Sequence, residues 1–170
     1  MARADLAPPY LPPADLDYKE AFRCLAQVQL EIQREGLTKE LALRRGHARF
    51  TLGDYLAAAF DAERATRLDP HCAEAEFLRG QAFLALAAVK HGVAPSGLGT
   101  RLPASALPAR RHLLLTARNC FRRVLAQNGE DRQASRALRS VAALLEDLGR
   151  NHARPARPGR SGRPERPLRV

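Results

Sequence analysis

The sequence contains no tryptophan, one methionine and three cysteines, and aromatic residues make up only 5% of it. Cys24, Cys72 and Cys120 are an odd number, lie far apart and form no Cys-x-x-Cys pair. This pattern argues against a disulfide framework and against a zinc site, and we expect no metal or cofactor. The core must be built mainly from leucine and alanine, in a reducing compartment.

Long hydrophobic runs are also missing. The densest apolar stretch, residues 83–89, ends at Lys90 and falls short of the roughly 18 residues that suggest a membrane span. The chain starts with no apolar segment before Pro8 and Pro9, so no secretory signal is predicted. We therefore expect no membrane partner and a cytoplasmic or nuclear location.

Lysine is scarce, and nearly all of the net charge of +10 comes from arginine. Residues 150–170 alone carry seven Arg and one Glu among Pro and Gly residues. This tail and the Pro-rich residues 1–14 are predicted to be disordered. Residues 15–149 are predicted to form the folded domain.

Caps and breakers divide this domain into about six helices. Gly36 and Gly53 are typical helix ends, Thr38 and Asp54 follow them as N-caps, and Pro70 stops the next helix. The predicted helices run from Asp15 or Asp17 to Gly36, from Thr38 to Leu52, from Asp54 to Asp69, and over about 73–90, 110–128 and 131–148.

Two further patterns lie in and between these helices. The first helix is predicted to bury one stripe of side chains at helical spacing: Phe22, Leu25, Val28 and Ile32. Between the fourth and fifth helices, residues 91–109 are rich in Gly and Pro and predict a loop that is long for a compact domain.

Two segments match each other at an offset of thirty-four residues, since Arg45-Gly46-His47-Ala48 corresponds to Arg79-Gly80-Gln81-Ala82. A period of about 34 in a helical sequence is typical of stacked helix-turn-helix arrays. The predicted fold class is therefore all-α, with antiparallel helix-turn-helix repeats forming an α-solenoid.

At these positions the chain resembles the tetratricopeptide-repeat (TPR) family, over about residues 39–128. The matching residues of the first unit are Gly46, Ala48, Tyr55, Ala58, Ala65 and Pro70. Those of the second unit are Gly80 and Ala82 and, after the loop insertion, Ala117 and Phe121. The flanking helices would then be partial or capping units, or the chain is one piece of a longer array.

The sequence departs from the family pattern at two points in each unit. Ala42 and Glu76 stand where the family usually has an aromatic residue, and Arg45 and Arg79 replace the usual leucine.

In this family the first helix of each pair lines a concave groove that holds a peptide or helix of another protein. The resemblance implies a partner-binding groove lined by Leu43, His47, Phe50, Phe77, Gln81 and Leu84. The alternative is that Phe50 and Phe77 belong to the inter-helix core.

Members of the family that hold the acidic C-terminal tails of chaperones share a Lys and an Asn on the first helix. Leu43 and His47 stand at the matching positions. The resemblance therefore disfavours a chaperone tail and implies an adaptor for a more apolar protein partner.

Two other functional classes are weaker. The arginine-rich tail allows electrostatic binding of nucleic acid or an acidic protein, but it lacks interleaved aromatic residues, so such binding would be non-specific. An enzyme is disfavoured because the sequence has no Gly-rich phosphate loop, no Gly-x-Ser-x-Gly motif and no His/carboxylate cluster. Cys72, next to His71, is more simply a small buried residue than a nucleophile.

Overall fold

The computed structural model describes residues 18–89 and 107–153, and these form six α-helices. The helices are α1 (Tyr18–Glu35), α2 (Lys39–Thr51), α3 (Tyr55–Leu68), α4 (Ala73–Val89), α5 (Leu107–Gln127) and α6 (Arg132–Ala153). The predicted N-terminal segment 1–14, most of the predicted loop 91–109 and the tail beyond residue 153 lie outside the described residues.

The predicted caps delimit the first three helices. The Thr38 side chain accepts a hydrogen bond from the Leu41 amide at 3.2 Å, and Asp54 accepts one from the Ala57 amide at the same distance. Gly36 and Gly53 adopt φ of 85° and 81°, the left-handed region that glycine enters without steric cost. The all-α class and the turns between α1, α2 and α3 are confirmed.

Two helices are longer than predicted. Helix α5 begins at Leu107 rather than near Arg110, because Pro108 falls in the first helical turn, where its missing N–H is not needed. Helix α6 continues past Leu148 through Gly149 to Ala153, since a glycine inside a helix costs only about 1 kcal/mol.

Each helix packs on its neighbours in sequence, and the first helices of successive units also touch. Helix α4 is central, since it packs against α3 and α5 and also contacts α2 and α6. Helices α2, α4 and α6 therefore form a row along one side of the stack, which is the arrangement of an α-solenoid.

The core consists of linked clusters on the two sides of α4. One joins α2, α3 and α4 through small residues and leucines, chiefly Ala42, Leu43, Ala62, Ala65, Ala75 and Leu78. The other joins α4, α5 and α6 through larger side chains, including Leu84, Leu114, Phe121, Val141 and Leu148.

The predicted stripe on α1 is only partly buried. Val28 is fully buried and Leu25 and Ile32 are half-buried, but Phe22 is 63% exposed and Ala21 is buried in its place. The prediction for Phe22 was wrong because, among the described residues, α1 packs only against α2 and so covers a narrower stripe.

Close helix crossings occur at the two matching glycines. A Cβ atom on Gly46 would lie 2.9 Å from Leu78 Cδ2, and one on Gly80 would lie 2.7 Å from Phe121 Cε1. Both distances are below van der Waals contact. Leu78 and Phe121 therefore lie closer to the two glycine backbones than they could if either glycine carried a Cβ atom.

We expect Gly80→Ala to destabilise the fold by about 1–3 kcal/mol, because the added methyl group must displace the fully buried Phe121 ring. Gly149→Ala is the matched control, since nothing lies within 4 Å of its added Cβ, and it should stabilise α6 by up to about 1 kcal/mol. Urea unfolding followed by circular dichroism measures both. Equal stabilities of the two variants would contradict the crossing.

Candidate functional site

The residues predicted to line the groove divide into two groups. Leu43 and Leu84 are 7% and 1% exposed and belong to the core clusters on the two sides of α4. Leu84 shares its cluster with Val141 and Leu148 of α6. These two side chains pack between helices and are almost inaccessible to a partner.

The two predicted phenylalanines pack at their edges and keep some surface. Phe50 meets Tyr55 with ring centroids 5.1 Å apart and an angle of 63° between the planes. Phe77 meets Phe121 at 5.6 Å and 61°. Both are edge-to-face contacts, which stabilise aromatic pairs. Both phenylalanines are half-buried.

The polar members of the predicted set are more accessible. His47 is exposed on α2, and its Nε2 lies 3.1 Å from Oε1 of Glu74 on α4. Gln81 is half-buried on α4, thirty-four residues after His47. The accessible surface along α2 and α4 thus combines His47, Glu74 and Gln81 with the accessible parts of Phe50 and Phe77. We call these five residues the inner face.

Sequence reasoning missed a buried ion cluster between α2 and α3. Arg45 donates three hydrogen bonds from Nε and Nη2 to the two oxygens of Asp61 over 2.7–3.1 Å, and Arg49 adds a fourth guanidinium hydrogen bond at 2.8 Å. Asp61 is 1% exposed and Arg45 is almost as well buried. This bidentate pairing requires α2 and α3 to keep one relative position.

A second set of ion pairs joins α4, the first helix of the second unit, to the helices on either side of it. Glu76, nearly fully buried, accepts from Arg123 of α5 at 3.0 Å, and Arg79 approaches Glu63 of α3 at 3.7 Å. The four departures from the TPR pattern thus have a physical account at three positions. Arg45, Glu76 and Arg79 replace apolar contacts between helices with ion pairs.

One signal in the sequence could have located the first cluster. Asp61 lies between Ala58 and Ala65, which are predicted to be buried, and a lone acid there needs a partner. The repeated arginine at positions 45 and 79 supplies the matching charge. Neither pattern alone tells which arginine meets which acid, because that depends on how the helices cross.

Other kinds of site find little support in the described part of the chain. No helix there is long and apolar enough to cross a membrane, and no group of three His, Cys, Asp or Glu side chains is placed to hold a metal ion. Cys72 and Cys120 are buried and Cys24 is half-buried, all with free thiols.

Comparison with known proteins supports the fold. No protein-family model matches the sequence, and a search of curated proteins gives no match. Among solved structures, the chain is similar to the first TPR of Spaghetti (RPAP3) bound to the HSP90 peptide SRMEEVD, with a TM-score of 0.51 and 17% identity. The match covers 78% of this chain and 98% of that one. The chain therefore has a TPR-like helical-repeat fold.

We expect Asp61→Ala to destabilise the protein by about 3–5 kcal/mol, because it leaves the buried Arg45 guanidinium without a carboxylate. Asp147→Ala removes the exposed partner of Arg150 and should cost less than about 1 kcal/mol. Denaturant unfolding of both variants decides this. A similar small loss in each would show that the Arg45 cluster contributes no stability.

Burial, reinforced by the neighbouring Glu76 carboxylate, raises the pKa of the Cys120 thiol from 9.0 to about 12. The unfolded chain therefore releases this proton first, and the free energy of unfolding should fall between pH 9 and 12. We expect Cys120→Ala to have a shallower pH dependence than the wild type in this window, with Cys24→Ala as control. Identical slopes in all three proteins would contradict the shift.

Proposed function

We propose that this protein is a non-enzymatic adaptor that binds a peptide or amphipathic helix of another protein on its inner face. The observation that carries the proposal is the row of α2, α4 and α6, along which His47 and Glu74 are exposed and Phe50, Phe77 and Gln81 are half-buried. Edges of Phe50 and Phe77 supply apolar contact, while His47, Glu74 and Gln81 supply hydrogen-bonding groups. The solved TPR structure described above is bound to an HSP90 peptide.

The chemistry of the inner face favours a partner other than a chaperone tail. The positions of the family's Lys and Asn pair hold Leu43, which is buried, and His47, which faces Glu74. An acidic C-terminal peptide would find no lysine there and would meet the Glu74 carboxylate. We therefore expect a partner segment with apolar anchors, encountered in the cytoplasm or nucleus.

The alternative function is electrostatic binding of nucleic acid or an acidic protein by the C-terminal tail, whose seven arginines are read from the sequence. Such binding would be strongly salt-dependent and indifferent to substitutions on the inner face.

Affinity capture with mass spectrometry tests the adaptor proposal directly. We expect Gln81→Arg to reduce recovery of specific partners by about tenfold, because a long cation then replaces a neutral amide on the inner face. Gln127→Arg, at the exposed end of α5, makes the same chemical change elsewhere and should leave recovery unchanged. Partners that Gln81→Arg still captures but that are released at high salt would support binding by the tail instead.

A second test uses a defined ligand. The peptide SRMEEVD, titrated against the full chain by calorimetry, should bind more weakly than about 1 mM, because the inner face lacks the lysine that would meet its carboxylates. Micromolar binding to the wild type would contradict the expected partner chemistry, and tighter binding in Gln81→Arg, where an added cation meets the acidic peptide, would place a chaperone tail on the inner face.

A further inference from the structure

The outward side of α3 carries an unusual combination of apolar and basic side chains. Leu56, Phe60, Arg64 and Arg67 follow one another at helical spacing, on the side of α3 opposite the buried Ala58, Ala62 and Ala65. Leu56 is 48% and Phe60 56% exposed. We call these four residues the α3 outer stripe.

The stripe borders a groove of about 490 Å³. Phe60, Arg64 and Arg67 line it together with Arg49 from α2 and with Asp61 and Glu63. This volume lies within the range of sites that enclose a small ligand or a few side chains, about 300–1,000 Å³. The groove is thus large enough to receive an anchor side chain and its neighbours.

The charges around the groove do not cancel. Asp61 is shared by Arg45 and Arg49, and Glu63 is shared by Arg67 at 2.8 Å and Arg79 at 3.7 Å. Among the residues that line the groove, Arg49, Arg64 and Arg67 face two carboxylates, Asp61 and Glu63, which leaves a surplus of one positive charge. Arg64 supplies that surplus, since it forms no ion pair within the described part of the chain.

From this charge surplus beside an exposed aromatic ring, we infer that the α3 outer stripe is a second docking site, for a short acidic peptide segment that carries one apolar anchor. The anchor packs on Phe60 and Leu56, and the flanking carboxylates pair with Arg64 and Arg67. The Arg49 guanidinium is held in place by Asp61, so it meets a carboxylate without first losing much conformational freedom.

The same observations favour a peptide over nucleic acid. Single strands are held by several aromatic rings that stack successive bases along a basic track, whereas the groove contains the single ring of Phe60. The site lies on α3, away from the inner face on α2 and α4, so it does not depend on the adaptor proposal.

Fluorescence anisotropy of the full chain tests the inference, with a labelled peptide of alternating Asp and Glu around one Leu-Phe pair as probe. We expect saturable binding that Arg64→Glu weakens about tenfold or more and Phe60→Ser about fivefold. Arg122→Glu, an exposed arginine of α5, makes the same charge change and should alter the affinity less than about twofold. Gln81→Arg on the inner face should have no effect.

Several results would overturn the inference. Absence of probe binding, equal losses in Arg64→Glu and Arg122→Glu, or an unchanged affinity in Phe60→Ser would each do so. Competition by a single-stranded oligonucleotide of equal charge would assign the stripe to nucleic acid. A dimer in sedimentation that Phe60→Ser converts to monomer would assign it to self-association. Circular dichroism of each variant confirms its fold, which these exposed positions should not disturb.

Discussion

The closeness of the helix crossings on either side of α4 is the constraint on which the rest of the structure depends. Gly80 lets the fully buried Phe121 ring of α5 lie against the α4 backbone, and Gly46 lets Leu78 of α4 lie against α2. With few aromatic residues and many alanines, the chain packs its few large buried side chains directly against glycine and alanine positions of the neighbouring helices. Dispersion contacts fall off steeply with distance, so this kind of core tolerates little displacement.

Ion pairs then determine how these closely packed helices are oriented. The Arg45–Asp61–Arg49 cluster joins α2 to α3, and Glu76 with Arg123 joins α4 to α5. A buried ion pair adds little net stability compared with an apolar pair of the same size, because both charges lose their hydration. The pair instead specifies the relative position of the helices, because a shifted helix would lose the bidentate contact. Removal of either partner would leave an unpaired buried charge.

This internal chemistry also shapes the surface. Because three arginines and two carboxylates line the groove beside α3, it carries surplus positive charge next to the exposed Phe60. The inner face instead places the His47 ring beside Glu74 and offers two half-buried phenylalanines as apolar surface. The two sides of one helical hairpin therefore differ in the chemistry that they present to a partner.

The sequence alone determined the helical class, the repeat and most of the helix ends, because caps, glycine turns and the thirty-four-residue period act locally or recur along the chain. It could not determine which apolar residues remain accessible. The family resemblance places Leu43 and Leu84 in the groove, yet the neighbouring helices cover them, and Phe22 of the predicted α1 stripe stays exposed because, among the described residues, α1 packs only against α2. The pairing of Arg45 with Asp61 was equally invisible. Periodicity indicates which side of a helix a residue occupies, and only the packed structure decides what lies opposite that side.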